Sequence, residues 1–68
     1  MSLMAEELRS CGIESETEID NYVDLLKQQG YDTPEDLREL VQEDGGVDEL
    51  DQMGFKKNHR KKIQRRLA

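Results

Sequence analysis

The chain has 68 residues, a mass of 7.9 kDa and a formal net charge of −6, with 34% hydrophobic and 38% charged residues. That length holds one domain around one modest core, and a single cysteine and a single histidine allow neither an intramolecular disulfide nor a four-ligand zinc site to brace it. No apolar run approaches the roughly 20 residues needed to cross a bilayer, and the first residues lack the basic start and apolar middle of a secretory signal.

The composition lies near the border with disorder, and the argument for order is the helical spacing of the apolar residues. Met1-Ser2-Leu3 reads as a cloning scar ahead of Met4, leaving 4–68 as a single domain. A chain this short that ends within a helix also reads as a piece of a larger protein. The first predicted helix covers 4–11: Met4, Leu8 and Cys11 share a face, and Gly12 is a natural stop. Ser15 and Glu18 then have the spacing of a capping box, in which hydroxyl and carboxylate satisfy each other's backbone amides. Ile19, Tyr22, Val23 and Leu26 form the stripe of a second helix that ends at Gly30. Thr33-Pro34-Glu35-Asp36 opens a third helix with an N-cap hydroxyl, a proline at the first helical position and acids in the first turn. Its core face is Leu37, Leu40 and Val41.

Gly45-Gly46 breaks the chain again. Val47, Leu50 and Met53 make a short fourth helix stopped at Gly54, and Phe55 is expected to be buried in the link. Asn58 is expected to cap a last helix through Leu67, with His59, Ile63 and Leu67 facing inward. No segment alternates as a strand would. The expected fold is all-α, a compact bundle of five short helices.

Charge is segregated along the chain. Residues 1–54 hold all sixteen acids and only three bases, a net −13, whereas 55–68 hold seven bases and no acid, a net +7. A charge run is usually just a solvated face. Here the separation is complete, and some of the cations sit at a helix start, where each exposed charge costs about 0.3–1 kcal/mol against the helix dipole. A partner that supplies the compensating charge would explain that placement.

The residues Ala5-Glu6-Glu7-Leu8-Arg9-Ser10-Cys11-Gly12-Ile13, Tyr22-Val23-Asp24-Leu25-Leu26, Gly30-Tyr31-Asp32, Leu37 and Leu40 resemble the sterile alpha motif (SAM) domain family. The most specific stretch is Leu50-Asp51-Gln52-Met53-Gly54-Phe55-Lys56-Lys57-Asn58-His59-Arg60-Lys61-Lys62-Ile63. It is similar to that family's Leu-x-x-Leu-Gly-Ile-x-x-x-Gly-His-Arg-x-x-Ile. The sequence departs from the family in having Glu7 where a tryptophan is usual, Asn58 where a glycine is usual, and longer links around 14–19 and 45–46. The resemblance implies a five-helix bundle of SAM type that binds other proteins, another SAM domain or a copy of itself, in a head-to-tail manner. It implies a basic surface at Lys56, Lys57, Arg60, Lys61 and Arg65. It further implies an acidic surface drawn from Glu35, Asp36, Glu39, Glu43, Asp44, Asp48, Glu49 and Asp51. Complementary patches on one molecule make a heterologous contact that can repeat into open filaments.

Other chemistries fit less well. Some SAM domains bind RNA hairpins, and the basic helix keeps that as the alternative, but the acidic body would repel phosphates and the few aromatics are better placed in the core. Anionic membrane is disfavoured because Ile63 and Leu67 are expected to be buried. The run 56–62 looks like a nuclear import signal, a match that basic helices produce by accident. The loop 43–49 lacks the ligand spacing of a calcium loop, and no metal or other cofactor is expected. His59 has no nucleophile or second histidine to work with, so no enzyme is expected. Cys11 reads as a small buried hydrophobe, and a lone thiol fits a reducing compartment, hence an intracellular, cytoplasmic setting.

Overall fold

The computed structural model describes residues 3–67; Met1, Ser2 and Ala68 lie outside the described residues. The order is α1 Leu3–Ser10, α2 Glu16–Gln28, α3 Pro34–Gln42, α4 Gly46–Met53 and α5 Lys57–Leu67, with no strand among the described residues. The all-α, five-helix expectation holds. Of the residues set aside as a scar, Leu3 opens α1, and Cys11 falls in the turn that follows that helix.

The helices close on one apolar core. Met4, Leu8, Cys11, Ile13, Ile19, Tyr22, Val23, Leu26, Leu37, Leu40, Val41, Leu50, Phe55, Ile63 and Leu67 are buried, with Val47 and Met53 only partly so. α1 packs on α2 and α3, while α3, α4 and α5 pack on one another. No described helix is long and apolar enough to cross a membrane.

Three helix ends share one device. The amides of Ile13, Tyr31 and Phe55 reach back five residues to the carbonyls of Leu8, Leu26 and Leu50. This is the Schellman arrangement, which folds the apolar residue after the stop toward the core. At Gly54 it requires a φ of 105°, which a side chain would strain. Gly46 is constrained differently: a Cβ there would lie 1.7 Å from the Leu40 carbonyl oxygen, so only glycine lets α4 pass α3 this closely.

The starts of α2 and α3 differ in how far the sequence signal was realised. α3 has the full capping box, with the Thr33 hydroxyl on the Asp36 amide and the Asp36 carboxylate on the Thr33 amide. At α2 only half forms. Ser15 accepts from the Glu18 amide, but the Glu18 carboxylate turns away to Lys56 and His59. A cation offers an anion more than a backbone amide does, so the long-range partner wins.

Candidate partner-binding surface on the last helix

The position of α5 is set from α2. Phe55 is buried and its ring stacks on Tyr22 with centroids 4.0 Å apart and planes at 11°. The His59 ring meets Tyr22 edge-on at 5.5 Å. The Tyr22 hydroxyl accepts from the Lys56 amide at 3.2 Å and lies 2.7 Å from His59 Nδ1. Glu18 pairs with the Lys56 ammonium and lies 3.2 Å from His59 Nδ1. The hydrogen bond from Lys56 holds the Glu18 carboxyl below its ordinary value, aided by the nearby charges of Lys56 and His59 against a smaller desolvation effect. The same bond raises Lys56.

This clamp displaces the expected cap. The Arg60 amide donates to the Lys56 carbonyl at 2.9 Å, so the helical ladder begins there and Asn58 lies inside the first turn, exposed. The physical reason is that Phe55 and Tyr22 fix the chain before residue 58 is reached. Nothing local to Asn58 reveals this, because Tyr22 is 34 residues from Lys56 and 37 from His59.

The five basic residues expected to form a surface divide into two groups. Lys57, Lys61 and Arg65, four apart, form one exposed stripe on the outer face of α5 and have no carboxylate partner among the described residues. Lys56 is engaged by Glu18. Arg60 is largely buried, approaches Asp51 at 3.6 Å, and keeps a buried Nε with no hydrogen-bond partner among the described residues. Lys62 also looks inward, donating to the Gly12 carbonyl at 3.1 Å and tying α5 to the end of α1. No acid stands in the first turn of α5 to offset Lys57.

The acidic set divides likewise. Asp36 is engaged in the α3 cap, Asp51 faces Arg60, and Glu49 accepts from the Tyr31 hydroxyl. Burial, then Glu49, raises the Tyr31 phenol. Glu35, Glu39, Glu43, Asp44 and Asp48 are exposed without a cation partner among the described residues. Tyr22 and Phe55 are buried and Tyr31 half-buried, so no fully exposed aromatic stands among the described residues. Cys11 is buried, and burial, with Glu7 nearby, pushes its thiol up to about 11.

Sequence reasoning missed the organising role of Tyr22 and Glu18, and it missed Glu7, which pairs with Arg38 at 3.0 Å across α1 and α3. Comparison of the chain with protein-family models, with curated proteins and with solved structures finds no significant match.

Proposed function

We propose that this chain is a protein-interaction module of SAM type that engages an acidic surface, on another SAM domain or on a copy of itself, through the stripe Lys57, Lys61 and Arg65. The observation that carries the reading is the stripe's uncompensated charge. The chain has sixteen acids for ten bases, yet none of the acids reaches these three side chains among the described residues. Exposed cations steer and orient an acidic partner, and the association is salt-dependent for the same reason. Support for the SAM-type reading comes from the segment that carried the resemblance. Leu50, Phe55 and Ile63 are buried, Gly54 is left-handed, and His59 packs on Tyr22. His59 is occupied in holding the helix start, which favours binding over catalysis. The buried, unreactive Cys11 fits a reducing, intracellular setting.

The test is Lys57→Glu combined with Lys61→Glu. Arg60 is a poor site for charge reversal, because a glutamate there would face Asp51. A glutamate-rich helical peptide and an RNA hairpin serve as probes at two salt concentrations. Wild type is expected to bind the peptide in a salt-sensitive manner, and the variant about tenfold or more weaker with unchanged melting. Equal affinity of the variant would remove the stripe from the binding surface. Salt-sensitive binding of the hairpin alone would replace the protein-binding reading with the RNA one.

A further inference from the structure

The turn between α3 and α4 combines three conditions that no other aspartate of the chain meets together. Asp-Gly occurs once in the sequence, at Asp44-Gly45, and Asp44 is exposed. The turn is closed by the Gly46 amide, which donates to the Glu43 carbonyl at 3.1 Å, while the Gly45 amide has no hydrogen-bond partner among the described residues. Gly45 takes φ 78° and ψ 2° and carries no side chain to shield that nitrogen. Elsewhere the amide after each aspartate is covered by a side chain and engaged. Asp20, Asp24, Asp36, Asp48 and Asp51 lie within helices. After Asp32, the Thr33 amide donates to the Asp36 carboxylate at 3.3 Å.

We infer that Asp44-Gly45 is a site of aspartate isomerisation. The Gly45 nitrogen attacks Cγ of the protonated Asp44 carboxyl, forming an N–Cγ bond and a five-membered imide ring. The carboxyl's hydroxyl and the amide proton leave as water. Water from solvent then opens the ring at the former main-chain carbonyl and returns a proton to the nitrogen. The main chain now runs through Cβ, and the α-carboxylate becomes the side group. One water is lost and one regained, so mass is unchanged and nothing is oxidised or reduced.

The product has one more atom in its main chain, at a place without slack. A Cβ at Gly46 would lie 1.7 Å from the Leu40 carbonyl oxygen, so α4 passes α3 with no room for a shifted backbone. The Gly45 carbonyl also accepts from the Glu49 amide at 3.2 Å, a bond that opens the helix. A lengthened turn therefore loosens α4, and with it the contacts of Glu49 to Tyr31 and of Asp51 to Arg60. The chemistry needs only Asp44, Gly45 and water, and it is independent of what the basic stripe binds.

The test incubates the folded chain for several weeks at neutral pH and physiological temperature. Isoaspartate is read by transfer of a labelled methyl group from S-adenosylmethionine by an isoaspartyl methyltransferase, followed by peptide mapping. Label is expected to accumulate in the peptide holding residue 44. Asp44→Glu keeps the charge but would have to close a six-membered ring, and it is expected to take no label there. Absence of label at residue 44 in wild type, or equal label at Asp32, would overturn the assignment. The isomer, separated from the parent chain by chromatography, is expected to exchange the amides of 49–53 about tenfold faster, with α2 unchanged. Asp44→Glu incubated in parallel is expected to keep its exchange rates. Unaltered exchange at 49–53 in the isomer would overturn the loosening of α4.

Discussion

The starts of α3 and α5 solve one problem in opposite ways. Both must satisfy amide groups that the helix itself leaves without partners. α3 does so within four residues: Thr33 and Asp36 exchange hydrogen bonds, Pro34 lacks the donor altogether, and Glu35 and Asp36 suit the dipole. α5 has no such local chemistry, and its first turn is cationic. Its order comes from Tyr22, Phe55 and Glu18, so the surface at its front depends on a contact with a distant helix. A self-sufficient start leaves its side chains fixed by their own neighbours. A clamped one leaves its outer face, Lys57 and Lys61, free for other uses.

The largest effect that separates the two starts should come from removing each one's anchor. Tyr22→Phe keeps the stack on Phe55 but leaves the Lys56 amide and His59 Nδ1 without the hydroxyl. An unsatisfied, partly buried amide costs about 1–3 kcal/mol, while His59 Nδ1 keeps Glu18 at 3.2 Å. Thr33→Ala removes only a cap, with a cost of about 1 kcal/mol. Chemical denaturation of both variants checks the order, and amide exchange should quicken at 56–60 in the first and at 35–37 in the second. A smaller loss for Tyr22→Phe than for Thr33→Ala would make the α5 start as local as the α3 start.

Acid should sharpen the same contrast more gently. The Glu18 carboxyl is held below its ordinary 4.5, so the Lys56 contact is fully present above pH 4.5 and fades as pH falls through the lower, folded value. Lys56 is raised above 10.5, so on the alkaline side the contact persists to 10.5 and is lost as pH climbs beyond. The stability difference between wild type and Glu18→Gln is therefore expected to shrink as pH drops from 5 toward strong acid, where both carry a neutral side chain. A difference that stays constant through that range would mean that the Glu18 contact adds nothing at the front of α5.

These contrasts also explain what the sequence disclosed. Thr33-Pro34-Glu35-Asp36 was legible because every bond it makes is local. The stripe Ile19, Tyr22, Val23 and Leu26 was legible because helical spacing alone brings its members to one face, and the Schellman ends because glycine and the next apolar residue are adjacent. Ser15 and Glu18 were half legible, since the spacing holds but a cation from α5's approach outcompetes the amide. Among the candidate site residues, charge segregation pointed to α5 as a whole. It did not separate Lys57, Lys61 and Arg65 from Lys56 and Arg60, because that division depends on where Glu18 and Asp51 lie in space.

Asn58 offers the smallest effect and the most discriminating one. As an N-cap it would resemble Thr33, and its replacement by alanine would cost about 1 kcal/mol. As an exposed residue of the first turn, with the ladder already begun at the Lys56 carbonyl, it contributes no cap, and alanine is the better helix former by a few tenths of a kcal/mol. Asn58→Ala is thus expected to leave the melting temperature unchanged or slightly raised. For a domain of this size a loss of 1 kcal/mol lowers the midpoint by roughly 4–8 °C, so thermal denaturation resolves the two cases. A drop of that size would return the cap to Asn58 and deprive the Tyr22 clamp of its role in starting α5. An unchanged midpoint, alongside a destabilised Tyr22→Phe, would place the origin of the basic stripe's geometry in α2.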